Sequence, residues 1–388
     1  MPKHNIFEVN NMPLHISGKP IKITKAYTRQ DFNKKTVLTN DVFTYVRFYF
    51  MANKKKMKFL NPNNKTKYGN PNQFGYEFYW NQSEIFYKVS NSLPVEAKPV
   101  AAYYCMLNAV KAYLSFTSKS ADEFVEDFGN HGLFENQDCN GTDLDSIEIA
   151  HRKTGVFPLF ARHLDDDFDT LWINGKGSSK SLRCLLYNLP FVHRAYSMTY
   201  SGQSKKIDEL FIPVKTGESP QYYKANDGKA YVLVNLEKSY FPINAQTIPN
   251  FYIKTIGNNF KVYSGFTMIS NVGVRYNSSS ISKEMKENTE KLRKNFAYIR
   301  SDKRLWYLKR IAIQNDKVIN LSTLTLNMAA LHRISEIARY KPEQLNRLLK
   351  SKENWLLHEY ISQALDQFLD EISAEITRQD IMSIGHKM

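Results

Sequence analysis

His131, followed by Gly132 in "HGLF", is the residue whose side chain is best suited to chemistry. An imidazole takes up and releases protons near neutral pH, so it can serve acid–base work or bond to an anionic ligand. Upstream, in "AAYYCMLNAVKAYLSF", Tyr104, Asn108 and Lys111 recur at helical spacing and fall on one stripe. Lys111 would bring positive charge, Asn108 a hydrogen-bonding fork, and Tyr104 a ring or hydroxyl. With His131 they make a candidate ligand-binding site, His131 being its catalytic candidate. The competing expectation is packing: the stripe meets neighbouring strands, and His131 closes a helix end with Gly132 in a left-handed turn.

A second candidate is electrostatic. Lys54, Lys55, Lys56 and Lys58 open a basic loop over residues 53–72, and Lys303, Arg304, Lys309 and Arg310 surround Trp306 and Tyr307. Cations interleaved with aromatic rings suit single-stranded nucleic acid. The alternatives are a solvated loop for the first group and, for the second, an amphipathic helix that buries Trp306. "RHLDDDFD" (162–169) gathers Asp165, Asp166, Asp167 and Asp169 but lacks the spacing of a calcium loop, so an acidic turn is expected. "NGKGSSKS" (174–181) lacks the phosphate-loop pattern, and G-x-S-x-G, H-E-x-x-H and G-x-G-x-x-G are missing. No cofactor and no metal site is expected.

These residues need elements to position them. Residues 1–98 are aromatic and rich in β-formers, and "VLTNDVFTYVRFYF" (37–50) and "QFGYEFYWNQSEIFYKV" (73–89) are expected to hold strands. Residues 99–204 form a helical module in which Val100, Tyr103, Leu107, Val110 and Leu114 give a buried stripe. "SADEFVEDFG" (120–129) predicts an acidic helix, and "SKSLRCLLYNLP" (179–190) a Ser-capped one stopped by Pro190. Residues 205–276 are β-rich, with "KAYVLVNLE", "FYIKTIG" and "FKVYSGF" as strands. Residues 277–388 predict a carboxy-terminal helical bundle. One of its helices, marked by Leu324, Met328, Leu331 and Ala338, must stop at Tyr340-Lys341-Pro342, because proline restricts the residue before it. Arg339 and Tyr340 are expected to clamp the next helix, with a buried Tyr340 ring. The fold class is α+β.

The chain of 388 residues carries 53 Lys plus Arg against 38 Asp plus Glu, a formal charge of +15. That excess favours phosphates or acidic partners. Its 42% apolar content suffices for packed cores and argues against global disorder. Cys105, Cys139 and Cys184 are odd in number and form no C-x-x-C, which points to a reducing compartment. With no signal-like apolar region and no membrane-length run, a cytoplasmic location is expected.

In order, "AYYCMLNAVKAYL", "HGLF", "GVFPLF", "SLRCLLYNLP" and "LHRISEIARYKPEQLNRLL" resemble the YaaC-like family of bacterial proteins. The last includes an Arg-Tyr-x-Pro signature, here Arg339, Tyr340 and Pro342. The resemblance runs from about residue 95 to 380 and brings no established activity with it. The tyrosine-rich helix and His-Gly are also similar to helical HEPN domains, many of them RNases or nucleotide-binding modules in bacterial conflict systems. RNase members pair an Arg with a His four to six residues later, a spacing missing from this sequence. The resemblance implies a HEPN-like helical module at the centre of the α+β fold. The leading expectation is an interaction protein that binds nucleic acid or a nucleotide, in defence against phage. The alternatives are a divergent HEPN-like RNase using His131 and a structural subunit held by a protein partner. Oligomeric state is not legible in the sequence, nor is whether the protein is an enzyme.

Overall fold

The structure is a computed structural model that describes residues 8–32, 36–53, 75–117, 128–135, 143–166, 179–201, 208–277, 279–301 and 304–383. It begins with strands β1 (Val9–Pro13), β2 (His15–Ile16), β3 (Lys19–Pro20) and β4 (Val37–Thr39). Helices α1 (Val42–Asn53), α2 (Tyr76–Ser92) and α3 (Lys98–Thr117) follow. Next come β5 (Leu133–Phe134), β6 (Glu148–His151), α4 (Val156–His163), β7 (Lys180–Ser181), α5 (Leu182–Tyr187) and α6 (His193–Ser201). A β-rich run holds β8 (Phe211–Pro213), β9 (Gln221–Ala225), β10 (Lys229–Asn235), α7 (Asn250–Ile256), β11 (Phe260–Ser264), β12 (Thr267–Ser270) and β13 (Val274–Arg275). Then come α8 (Ile281–Arg293), β14 (Phe296–Ile299), β15 (Leu305–Lys309) and α9 (Thr323–Tyr340). The last elements are α10 (Pro342–Leu348), α11 (Asn354–Thr377) and β16 (Ile381–Ser383). The class is α+β.

Two compact units share the chain. The first comprises Met1–Thr36, Lys206–Asp316 and Arg378–Asp380, the second Val37–Lys205, Lys317–Thr377 and Ile381–Met388. In the first, an antiparallel sheet runs in the order β1-β9-β10-β12-β11, and a smaller one in the order β14-β15-β8. Strand alternation sorts β10 between two faces. Ala230, Val232 and Val234 enter the main core with Met285 of α8 and Trp306 of β15, while Tyr231 joins Ala225 and Ile269.

The second unit is built around α3, which is buried along most of its length and packs against α2, α9 and α11. Ser181 caps α5 by accepting from the Cys184 amide, as the sequence predicts. Among the described residues no helix is long and apolar enough to cross a membrane.

Three expectations are corrected. The strands expected in 37–50 and 73–89 give way mainly to α1 and α2, preceded by the short β4. Aromatic and β-branched content suggested strands, but Phe43, Val46 and Phe50 recur at helical spacing and are the buried residues of α1. "FYIKTIG" is the helix α7 closed by Gly257, not a strand. The carboxy-terminal stretch contains β14 and β15 before its helices begin, because "FAYI" and "LWYLK" pair with each other as an antiparallel hairpin. The acidic helix expected over 120–129 lies largely outside the described residues.

Candidate functional site

Three segments of the second unit bring ionisable side chains together. Helix α3 supplies Tyr103, from the stripe that the apolar spacing marks as buried. Helix α9 supplies His332, Glu336 and Arg339, which stand at i, i+4 and i+7 and so share one face. The start of α9 is held firmly. Ser322 caps it through the Thr325 amide at 3.2 Å, and the buried Asp166 carboxylate accepts from the Ser322 amide at 3.0 Å and the Ser322 hydroxyl at 2.7 Å. Asp166 thus acts as a structural clamp, while Asp167 and Asp169 lie outside the described residues.

The third segment is the turn Asn130–Gly132, which places His131. Its carbonyls are fixed by the start of α4: Val156 N donates to Asn130 O at 2.9 Å and Phe157 N to His131 O at 3.0 Å. Gly132 has φ of 78° and Gly155 of 122°, conformations that favour glycine. The two backbones also touch, for a Cβ on Gly155 would lie 2.6 Å from Gly132 Cα. This contact explains why "HGLF" and "GVFPLF" both carry glycine. A Cβ on Gly132 would lie 2.5 Å from Pro158 Cδ, whereas one on Gly129 meets nothing within 4 Å. Gly132→Ala is therefore expected to destabilise by roughly 1–3 kcal/mol and Gly129→Ala by under about 0.5 kcal/mol, read by urea denaturation.

These segments enclose an open pocket of about 360 Å³, lined among others by Tyr103, His131, Arg152, His332, Glu336 and Arg339. Three rings meet in it. The Tyr103 and His332 centroids are 4.9 Å apart, Tyr103 and His131 5.4 Å, and His131 and His332 5.6 Å. Tyr103 and His332 are almost wholly buried, at 1% and 3% exposure, and form the floor. Arg152 and Tyr340 are exposed and Arg339 partly so, which places them at the mouth. The Arg339 guanidinium lies 5.3 Å from the Tyr104 ring centre and 5.4 Å from that of Tyr340.

Charge is arranged by depth. Burial, with the neighbouring His131, Arg333 and Arg339, pushes the His332 imidazole down to about 3, so it is neutral at ordinary pH. Burial, Lys111 and Arg339 also lower His131. Burial lifts the Glu336 carboxyl above its usual range against the opposing pull of Arg333. Behind the floor, buried Arg333 pairs with Glu135 and, at 3.3 Å, with Glu336, while Lys341 reaches Glu135 at 3.1 Å. Burial works the other way, yet Arg333 and Lys341 hold Glu135 below the usual carboxylate range. The pocket thus has a hydrogen-bonding floor of Tyr103 and His332, with Glu336 beside it, and a cationic mouth.

The family model described as YaaC-like Protein matches residues 36–376. The chain belongs to the YaaC-like protein family. Every residue of the YaaC-like pocket falls inside the matched range. No curated protein and no solved structure matches the chain.

Of the residues singled out in this YaaC-like sequence, His131, Arg339 and Tyr340 line the pocket. Tyr104 stacks on Phe86, with centroids 5.4 Å apart, and supports Arg339 from behind. Asn108 spends an amide proton on Tyr104 O at 2.8 Å. Lys111 sits against Tyr79 and Phe128, 5.6 and 5.7 Å from their ring centres, and burial lowers its pKa. Lys111 thus reaches the site through its field on His131. Pro342 opens α10, so α9 stops where the sequence predicts. The buried clamp expected of Tyr340 is corrected: its ring is 69% exposed, because it lies on the outer end of α9.

The basic block is corrected as well. Lys309 and Arg310 are buried, and Arg304 forms an ion pair with Asp380 at 3.4 Å. Lys309 ends β15 and Arg310 follows it; both are buried, so neither is available to phosphates. Lys54, Lys55, Lys56, Lys58 and Lys303 lie outside the described residues. The sequence reading missed His332 and Glu336. Their i, i+4, i+7 spacing with Arg339 in "LHRISEIARY" was the available signal.

Proposed function

We propose that the protein binds a nucleotide unit, free or at the end of a strand, in the pocket between α3 and α9. The observation that carries this reading is the union of a polar 360 Å³ pocket with two arginines and an exposed tyrosine at its mouth. Arginine forks bond phosphate oxygens in pairs, and an exposed ring offers a stacking surface. The dimensions suit a nucleoside phosphate. Burial of Lys309 and Arg310 removes part of the extended footprint that a long nucleic acid would use. The HEPN resemblance of α3 and the His131-Gly132 turn supports the same ligand class. It is also the ground for placing the function in bacterial defence against phage.

A second reading, RNA cleavage with His131 as base, draws on the meeting of His131 and His332. Neutral imidazoles can accept a proton, but cleavage also needs a donor for the leaving oxygen. Burial disfavours the protonated form of both imidazoles, and Glu336 is paired with Arg333, so the pocket offers no ready donor. Binding is therefore preferred over cleavage.

Calorimetric titration of nucleoside 5′-monophosphates tests the reading. Arg339→Ala is expected to weaken binding by about 10–100-fold with little change in melting temperature, since its guanidinium is partly exposed. Failure of the unaltered protein to bind at millimolar concentration would end the proposal. Steady cleavage of added RNA, lost in His131→Ala, would replace it with the second reading.

A further inference from the structure

We infer that the nucleotide enters base-first: the edge of its base bonds to the Tyr103–His332 floor, and its phosphate remains at the Arg152–Arg339 mouth. This inference rests on the nucleotide reading and adds orientation and selectivity to it. Two buried polar atoms carry it. The Tyr103 hydroxyl and His332 Nδ1 have no hydrogen-bond partner among the described residues, although both side chains are more than nine-tenths buried and line the pocket. Glu336 Oε2 lies 3.6 Å from His332 Nδ1, beyond hydrogen-bond range. Unsatisfied buried groups cost stability, and a ligand that satisfies them recovers that loss on binding.

The class of group that fits there follows from charge. A phosphate needs cations around it, and the floor presents a phenol, two imidazoles whose protonated form burial disfavours, and a part-buried carboxyl. The exposed Arg152 and partly exposed Arg339 stand at the mouth instead. A nucleobase edge is neutral and carries both donors and acceptors, so it matches a floor of hydroxyl, imidazole and carboxyl. Placed this way, the phosphate meets Arg152 and Arg339 without leaving water entirely.

Titration of the full chain with nucleoside 5′-monophosphates, ribose 5-phosphate and inorganic phosphate, repeated with Tyr103→Phe, decides the matter. Base-first entry predicts that at least one monophosphate binds ten-fold or more tightly than ribose 5-phosphate. It also predicts that Tyr103→Phe weakens that nucleotide about ten-fold while leaving ribose 5-phosphate unchanged. The same variant should melt at or above the unaltered temperature, because it deletes an unpaired buried hydroxyl; a merely structural role would lower both melting and binding. Equal affinity for nucleotide and ribose 5-phosphate, or a silent Tyr103→Phe, overturns the orientation and leaves the phosphate reading standing. No binding of any probe overturns both.

Discussion

Arg310→Ala is expected to cost roughly 3–5 kcal/mol, enough to unfold a marginal domain near body temperature. Arg310 has no exposed surface. Its Nε donates to Thr255 Oγ1 at 2.8 Å and its Nη1 to the Glu209 carbonyl at 2.6 Å. The guanidinium lies 4.9 Å from the Tyr252 ring centre and 5.1 Å from that of Phe251. Removing it leaves Thr255 Oγ1 and the buried Glu209 carbonyl without their guanidinium donor and opens a cavity among aromatic rings. Arg310→Lys should recover little, because an ammonium cannot span the same two acceptors. Arg304→Ala, which breaks a partly exposed pair with Asp380, should cost under about 1 kcal/mol. Urea midpoints of the three variants measure these differences. An unchanged midpoint for Arg310→Ala would return this arginine to the surface and to the list of phosphate-binding candidates.

Acid should unfold the second unit well before ordinary carboxylates titrate. Burial pushes His332 down to about 3 and His193 down to about 4, against 6.5 for an unhindered imidazole. His332 faces His131, Arg333 and Arg339, which oppose its protonation, while Glu336 at 3.6 Å pulls the other way. His193 donates from Nδ1 to the Pro190 carbonyl at 2.5 Å and feels Arg194. Above pH 6.5 both rings are neutral in either state, and their contribution is flat. As pH falls below 6.5, the unfolded chain binds protons that the native one refuses, so stability falls until the native pKa values are reached. Each histidine removes about 1.4 kcal/mol per pH unit, or roughly 5 kcal/mol for the pair between pH 6.5 and 4.5. Urea midpoints across that window measure the slope, and His332→Gln should take away about half of it. A flat profile would mean that both imidazoles are hydrated.

Elements set by local spacing were legible in the sequence. The alternation of buried and half-buried stripes on α3, the Ser181 cap and the halt of α9 before Pro342 each depend on neighbours within a few residues. The helices α1 and α2 were not, since residues such as Phe48, Tyr49 and Tyr79 favour strands until tertiary packing selects the helical period of Phe43, Val46 and Phe50. The candidate site was half legible. His131 could be picked out by type, but its partners His332 and Glu336 come from a distant helix, and no local spacing joins the two segments. The basic block around Trp306 misled for the same reason: whether Lys309 and Arg310 are buried is decided by segments distant in sequence.

The parallel pairing of β4 with β16 has a consequence for how the chain is made. Residues 37–39 pair with 381–383, and the central segment of the other unit lies between them in sequence. On the ribosome, β4 and α1 to α3 emerge early, yet the strand that pairs with β4, and α9 and α11 on the other side of α3, are synthesised only after that segment. Until then the buried side of α3 and the edge of β4 stay open to other chains. Vectorial synthesis thus leaves the early half of this unit dependent on residues made much later, and a nascent chain stalled before α9 would present the apolar surface that chaperones recognise.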